Sequence, residues 1–177
     1  MKKLTLALIS TLVIFGCSPT PDSPEEQAEL SKGVAATTTL VKNTDPGITK
    51  FFDTAYAYAI FPEIAKGAAG VGGAYGQAEV YEQKNHVGYA DVTQASVGVQ
   101  LGGQTYSELI FFQDKATFDT FKLGEFAINA NVSVVAVKAG ASAAANYVNG
   151  VVVFVFSEDG LMVEAAVGGQ DFEYEPK

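Results

Sequence analysis

The chain has 177 residues, with 11 basic and 20 acidic side chains and a formal net charge of −9 at pH 7. This length allows one domain with a sizeable core. All basic side chains are lysines, and their small number excludes both a nucleic-acid-binding face and strong attraction to anionic lipid headgroups. A single cysteine excludes an intrachain disulfide, so packing must stabilise the fold.

The N-terminus has the layout of a bacterial export signal. Lys2 and Lys3 precede the apolar run Leu4–Phe15, which is too short to span a bilayer comfortably. The run leads into Ile14-Phe15-Gly16-Cys17, which resembles the lipobox of bacterial lipoproteins. The resemblance implies that the chain is cut before Cys17 and that this residue carries acyl chains such as palmitate. The alternative is an ordinary secreted protein with an incidental cysteine.

These features divide the chain into three segments. Residues 1–16 are predicted to be a lipoprotein signal peptide, and 17–24 comprise the lipidated Cys17 and a tether. Prolines at positions 19, 21 and 24 favour an extended tether that joins no core. Residues 25–177 are predicted to form a single domain.

Two helical segments are predicted at the start of this domain. The first runs from Glu25 to about Val41, with acidic residues in its first turn. Asp45 and Pro46 suit the N-cap and first position of a second helix, which Pro62 should end. Apolar residues there follow the spacing of an amphipathic helix: Ile48, Phe51, Phe52, Ala55, Tyr58 and Ala59.

The remaining sequence indicates strands. Alternating apolar residues flank a turn at Glu82–Asn85, and Leu109–Phe112 is a continuous apolar run typical of a strand buried on both faces. Asp114 can cap one short inserted helix that carries Phe118 and Phe121.

Two hairpin turns are predicted towards the C-terminus, at Asn149-Gly150 before Val151–Phe156 and at Asp159-Gly160 before Leu161–Val167. Many glycines lie in or near the predicted strands, which indicates bends. The sequence thus predicts an α+β fold. N-terminal helices pack on a strongly curved, glycine-rich antiparallel sheet with one short inserted helix, and the sheet could close on itself as a barrel.

Several ordered motifs resemble the SYLF domain family, and the resemblance covers about Leu30 to Pro176. The motifs are Ile60-Phe61-Pro62, Lys66-Gly67, the glycine-rich runs 71–76 and 96–104, the segment 130–134, and Val153-Phe154 followed by Gly160-Leu161-Met162.

The resemblance implies a lipid-binding domain, and bacterial members of the family are often exported lipoproteins. Its eukaryotic members bind phosphoinositides and actin regulators, but neither role is expected here. The first helix is not basic, actin is absent from a bacterial envelope, and Asn131 stands where the family commonly has an aspartate.

No motif indicates catalysis, and we expect no catalytic residue, cofactor or metal. The glycine-rich run lacks the spacing of a phosphate-binding loop. His86, the only histidine, could join Glu82 and Asp91 at a metal, but a solvated turn residue is the preferred interpretation. Glu108 and Glu164 each interrupt an apolar strand, although alternation could turn them outward.

Four residues are candidates for contact with lipid: Lys50, Phe51, Phe52 and Lys66. The aromatic cluster on the second helix suits either the core or a lipid-facing surface, and core is preferred. Because neighbouring helical residues point about 100° apart, we expect one of Phe51 and Phe52 in the core and the other exposed.

The sequence therefore predicts a lipoprotein of the cell envelope, anchored to the outer membrane and facing the periplasm. Its domain is expected to associate with lipid or the membrane surface without catalysis. The alternative is a structural or adaptor protein that docks other envelope proteins and binds no lipid itself.

Overall fold

The computed structural model describes residues 19–128, 132–157 and 169–177, with backbone alone at 68–71, 96–102 and 127–128. The signal peptide, Cys17, Asn131, Glu164 and the predicted turn at Asp159-Gly160 lie outside the described residues. No helix in the described part is both long and apolar enough to cross a membrane.

The described residues contain three α-helices, and the start of the third follows the predicted capping. Helix α1 spans Pro24–Thr44, α2 spans Thr49–Thr54 and α3 spans Lys115–Lys122. Asp114 caps α3 by accepting a hydrogen bond of 2.9 Å from the Thr117 amide, as predicted. A short 3₁₀ turn, Pro46–Ile48, joins α1 to α2. Before α1, Pro19 and Pro21 are buried, so the prediction of a tether that joins no core is wrong for these two residues.

Asp45 fixes the corner between α1 and α2. Its carboxylate accepts hydrogen bonds from the Gly47 amide (3.2 Å), the Ser142 amide (2.6 Å) and the Ser142 hydroxyl (2.9 Å). Burial alone would raise the pKa of Asp45, but these hydrogen bonds lower it overall. The sequence predicted the N-cap but not the link to residue 142.

The second helix is much shorter than predicted, because the chain becomes extended after Thr54. Strand β1 begins at Ala57 and continues through Pro62 to Glu82. Pro62 lies where the register with the next strand shifts, between Phe61 and Ile64, so its missing N–H removes no regular ladder bond. The predicted helical residues 57–59 are therefore a strand.

The described residues contain five further strands of the sheet. They are β2 (Asn85–Phe112), β3 (Ala127–Ile128), β4 (Ser133–Ala136), β5 (Val151–Phe156) and β6 (Gln170–Pro176). The order is β3-β6-β2-β5-β4, and β1 pairs with β2. The described strands form an open sheet and do not support closure into a barrel.

The sheet is mixed, so the prediction of a purely antiparallel sheet is wrong at one pair. β4 runs parallel to β5, whereas the other pairs are antiparallel. Residues 137–150 form the connection, which includes a 3₁₀ turn at Ala141–Ala143. A crossover of this length lets the chain re-enter in the same direction. The predicted turn at Asn149-Gly150 is present, with positive φ angles of 52° and 79°.

The sheet buries residues on both faces, as predicted for Leu109–Phe112. Ile110 and Phe112 join α3 in one apolar cluster, and Leu109 and Phe111 join α1 and α2 in another. Strand β1 also folds back on itself. The close approach is seen at Gly76, where a Cβ atom would lie only 2.6 Å from the Glu63 carbonyl oxygen. This fold brings the two ends of the β1–β2 hairpin against α1.

Candidate functional site

A groove of about 570 Å³ lies between α1, the end of α2 and the β1–β2 hairpin. Its volume falls within the usual range of small-molecule sites. The lining side chains are Ser31, Val34, Ala35, Thr38, Lys42, Phe52, Asp53, Tyr58, Ile60, Glu79, Tyr81, Lys84 and His86.

Aromatic rings form a continuous part of the groove wall. The Tyr58 and Tyr81 rings stack with centroids 5.0 Å apart, and the Phe52 ring meets Tyr58 edge-on at 5.4 Å. The two tyrosines come from opposite ends of β1, so the folded-back strand creates this surface. The Phe52 ring also packs edge-on against Phe111 at 4.9 Å, which ties the groove to the core.

A buried carboxylate lies beside these rings. Glu79 is only 3% exposed, and its two oxygens accept hydrogen bonds from the hydroxyls of Ser31 and Tyr81. Burial and the hydrogen bond to Glu79 raise the pKa of Tyr81, so its hydroxyl stays protonated and remains a donor. The His86 Nδ1 atom is 4.0 Å from Glu79 Oε1.

The position of His86 does not suit nucleophilic catalysis by Ser31. The His86 Nε2 atom is 3.0 Å from the Gly88 carbonyl oxygen, to which it donates, and Nδ1 is 3.4 Å from Lys177 Nζ. Ser31 donates to Glu79 rather than to this ring. Ser31 and His86 therefore do not form the hydrogen-bonded pair of a Ser-His hydrolase in this arrangement.

Two lysines stand at the groove in different electrostatic surroundings. Lys84 forms an exposed ion pair with Asp53, with Nζ and Oδ1 3.0 Å apart. Lys42 lies with Nζ 4.2 Å from the centre of the Phe52 ring. In the part of the chain that the structure describes, Lys42 has no acidic partner, so its charge is available to a ligand.

The predicted lipid-contact residues are only partly at this groove. Phe51 and Phe52 are both buried, so the expectation that one would be exposed is wrong. Phe51 packs against Phe154 at 5.0 Å, whereas Phe52 faces Phe111 and the groove. Both rings also contact Phe111, because α2 packs both neighbouring side chains into the same apolar cluster.

Of the two predicted lysines, Lys50 contacts one of these rings: its Nζ lies 4.8 Å from the centre of the Phe51 ring. Lys50 Nζ donates a hydrogen bond of 2.8 Å to the Ser142 carbonyl oxygen. Lys66 lies in β1 opposite Gln104, and burial lowers its pKa. Neither lysine lines the groove.

Sequence reasoning missed Ser31, Lys42, Glu79 and Tyr81 as site residues. The available signal was the alternation of Glu79 and Tyr81 with the apolar Ala78 and Val80.

The candidate metal ligands take part in other contacts: Glu82 accepts a 2.5 Å hydrogen bond from Tyr56, and Asp91 is buried. Among the described residues, no three His, Cys, Asp or Glu side chains are placed to hold a metal ion.

A second buried polar cluster lies inside the sheet. Glu108 is fully buried, so it is not turned outward, and its Oε2 atom accepts a 3.0 Å hydrogen bond from Gln170 Nε2. The same Nε2 atom is 3.2 Å from the Tyr106 hydroxyl. Burial raises the pKa of Glu108 to about 8. This carboxyl is therefore protonated at neutral pH.

Two comparisons with known proteins bear on this architecture. Residues 93–175 match the family described as "Ysc84: Las17-binding protein actin regulator". The chain is also similar to "Beta cell expansion factor A" of Aeromonas veronii, with 29% identity over 151 residues. That match covers 83% of this chain but only 57% of the relative, so the chain spans little more than half the relative's length. Together with the ordered sequence motifs, these matches support the similarity of this chain to SYLF (Ysc84) domain proteins.

Proposed function

We propose that this protein is an envelope lipoprotein whose SYLF domain binds lipid or the membrane surface without catalysis. The observation that carries this proposal is the groove, which combines an aromatic and aliphatic wall with a lysine that has no acidic partner among the described residues. An apolar surface next to a cation is complementary to an amphiphile. The family also supports a binding role rather than a catalytic one.

The chain just before α1 supports a membrane-proximal position for the domain. The Pro19 carbonyl oxygen accepts a 3.3 Å hydrogen bond from Gln77 Nε2 in β1. Two residues of extended chain span at most about 7 Å. If Cys17 carries acyl chains, the tether therefore holds the domain close to the outer-membrane surface, on the periplasmic side.

Vesicle flotation tests the lipid-binding role. In this and the following binding and unfolding experiments the Cys17→Ser chain begins at residue 17, so it lacks both the acyl anchor and the apolar run Leu4–Phe15. Any remaining association must then come from the domain. We expect it to float with phospholipid vesicles and to retain phospholipid through purification. A folded chain that binds no vesicle at high lipid concentration would contradict the proposal.

The second candidate is an adaptor that docks other envelope proteins. It is favoured by the matching family's description, which names a protein-binding activity. It predicts that the Cys17→Ser chain retains a protein partner from an envelope extract but no lipid. The flotation experiment separates the two candidates.

A further inference from the structure

We infer that the groove holds one zwitterionic phospholipid, with its phosphate at Lys42, its amine at Glu79 and an acyl chain along the apolar wall. This inference rests on the proposed lipid-binding function and specifies its ligand. It also defines three subsites, each carried by separate contacts.

The phosphate subsite is at Lys42. Lys84 and Asp53 neutralise each other at the rim, and both are more than half exposed. Lys42 is only partly exposed and lies against the Phe52 ring, without an acidic partner among the described residues. A partly desolvated ammonium group without such a partner offers a phosphate oxygen the strongest charge-assisted hydrogen bond in this groove.

The amine subsite is at Glu79 and the stacked tyrosines. Each carboxylate oxygen of Glu79 accepts one hydroxyl hydrogen bond, from Ser31 or Tyr81, and each has a further lone pair. The aromatic faces of Tyr58 and Tyr81 lie next to it. A carboxylate beside aromatic rings is suited to an ammonium group, through ion pairing and cation–π attraction.

The charge of the groove favours a zwitterion over a simple anion. Two lysines face two carboxylates, Asp53 and Glu79, so the formal charges of these four side chains cancel. A purely anionic headgroup could pair with Lys42, but it would be repelled by Glu79 and would leave that carboxylate without a cation. Phosphate and amine on one headgroup can instead meet Lys42 and Glu79 at the same time.

The apolar subsite is the wall between α1 and β1. Val34 and Ala35 line it from the helix, and Ile60 lines it from the strand. Val34 and Ile60 belong to the core cluster below, which makes this wall rigid. An acyl chain that packs along this surface buries apolar area, which favours binding. Because the surface is already rigid, binding does not have to offset the cost of ordering it.

The test compares two lysophospholipids as monomers, with the same Cys17→Ser chain. Lysophosphatidylethanolamine and lysophosphatidylglycerol with the same acyl chain share the phosphate, but only the first carries an amine. By titration calorimetry we expect the ethanolamine lipid to bind about tenfold more tightly, the worth of one charge-assisted hydrogen bond. Lys42→Gln should weaken both lipids about tenfold, and Glu79→Gln should remove the difference between them.

Matched controls lie on the same helix outside the groove. Lys32→Gln and Glu29→Gln change exposed α1 charges of the same kind and should leave both affinities unchanged. Equal affinities for the two lipids in the unmutated groove, or a folded Lys42→Gln chain with unchanged affinity, would overturn this inference while lipid binding itself stands. Absence of binding to either lipid and to vesicles would overturn the proposed function as well.

Discussion

Glu108→Gln should make the protein less sensitive to alkaline pH. In the folded chain Glu108 is fully buried, and its Oε2 atom accepts a hydrogen bond from the neutral amide of Gln170, which cannot compensate a negative charge. Burial raises its pKa to about 8 from an ordinary value near 4.5. Because the folded state binds the Glu108 proton more tightly, the contribution of Glu108 to stability is fully present below about pH 4.5. This contribution is lost as pH rises through the pKa of Glu108 in the folded chain.

The size of this effect follows from the interval between the two pKa values. Each pH unit within it contributes about 1.4 kcal/mol to the free energy of unfolding. Between pH 4.5 and about 8, ionisation of Glu108 should therefore cost up to about 5 kcal/mol. An introduced glutamine keeps the shape of the protonated acid and cannot ionise, so the variant should lack this cost.

Urea unfolding of the two proteins at pH 5, 7 and 9 measures the effect, with Cys17→Ser in both backgrounds. Other groups titrate in this range, including Asp91, whose pKa burial and the nearby Glu173 raise to about 6. Because both chains contain these groups, the difference between their unfolding free energies isolates Glu108. That difference should move in favour of Glu108→Gln by several kcal/mol from pH 5 to pH 9. Parallel pH profiles would refute the reasoning.

Three further predictions concern the anchor and the fold. Cys17→Ser should move the protein from the membrane to the soluble fraction, as read by fractionation, because buried acyl methylenes contribute about 0.8 kcal/mol each; an unchanged membrane fraction would exclude acylation as the anchor. Asp45→Ala should lower the free energy of unfolding by about 3 kcal/mol in urea, since three donors lose their acceptor, and a loss below about 0.5 kcal/mol would contradict its structural role. Gly76→Ala should lower the free energy of unfolding by about 1–3 kcal/mol through overpacking. Gly67→Ala should leave it unchanged, because a Cβ atom there would meet nothing within 4 Å. Equal effects of the two substitutions would disprove the close approach at Gly76.

Local chemistry was sufficient to predict several elements. The cap at Asp114, the turn at Asn149-Gly150 and the doubly buried run Leu109–Phe112 depend on neighbouring residues and on burial patterns. These signals need no knowledge of distant pairing.

The missed elements depend on contacts between distant parts of the chain. Residues 55–59 fit the helical spacing, yet they extend because β2 offers a full ladder of partners. The parallel pairing of β4 with β5 likewise depends on the long crossover, which no local pattern specifies. Tertiary pairing thus overrides the weaker helical preference at this boundary.

The candidate site was hard to predict for the same reason. Tyr58 and Tyr81 are far apart in sequence and stack only because β1 folds back near Gly76. The predicted aromatic cluster on α2 did include Phe52, which lines the groove, but it could not reveal Lys42 or Glu79 as its neighbours.

We propose that the SYLF-like domain binds lipid in the groove between α1 and the β1–β2 hairpin. Photo-crosslinking tests it most directly, with phosphatidylethanolamine vesicles carrying a photoreactive group on the acyl chain and the Cys17→Ser chain that begins at residue 17. Mass spectrometry of the digested protein should place the adducts on residues 31–42, 52–60 and 79–86. Adducts confined to other surfaces, or none on a folded protein, would contradict the claim.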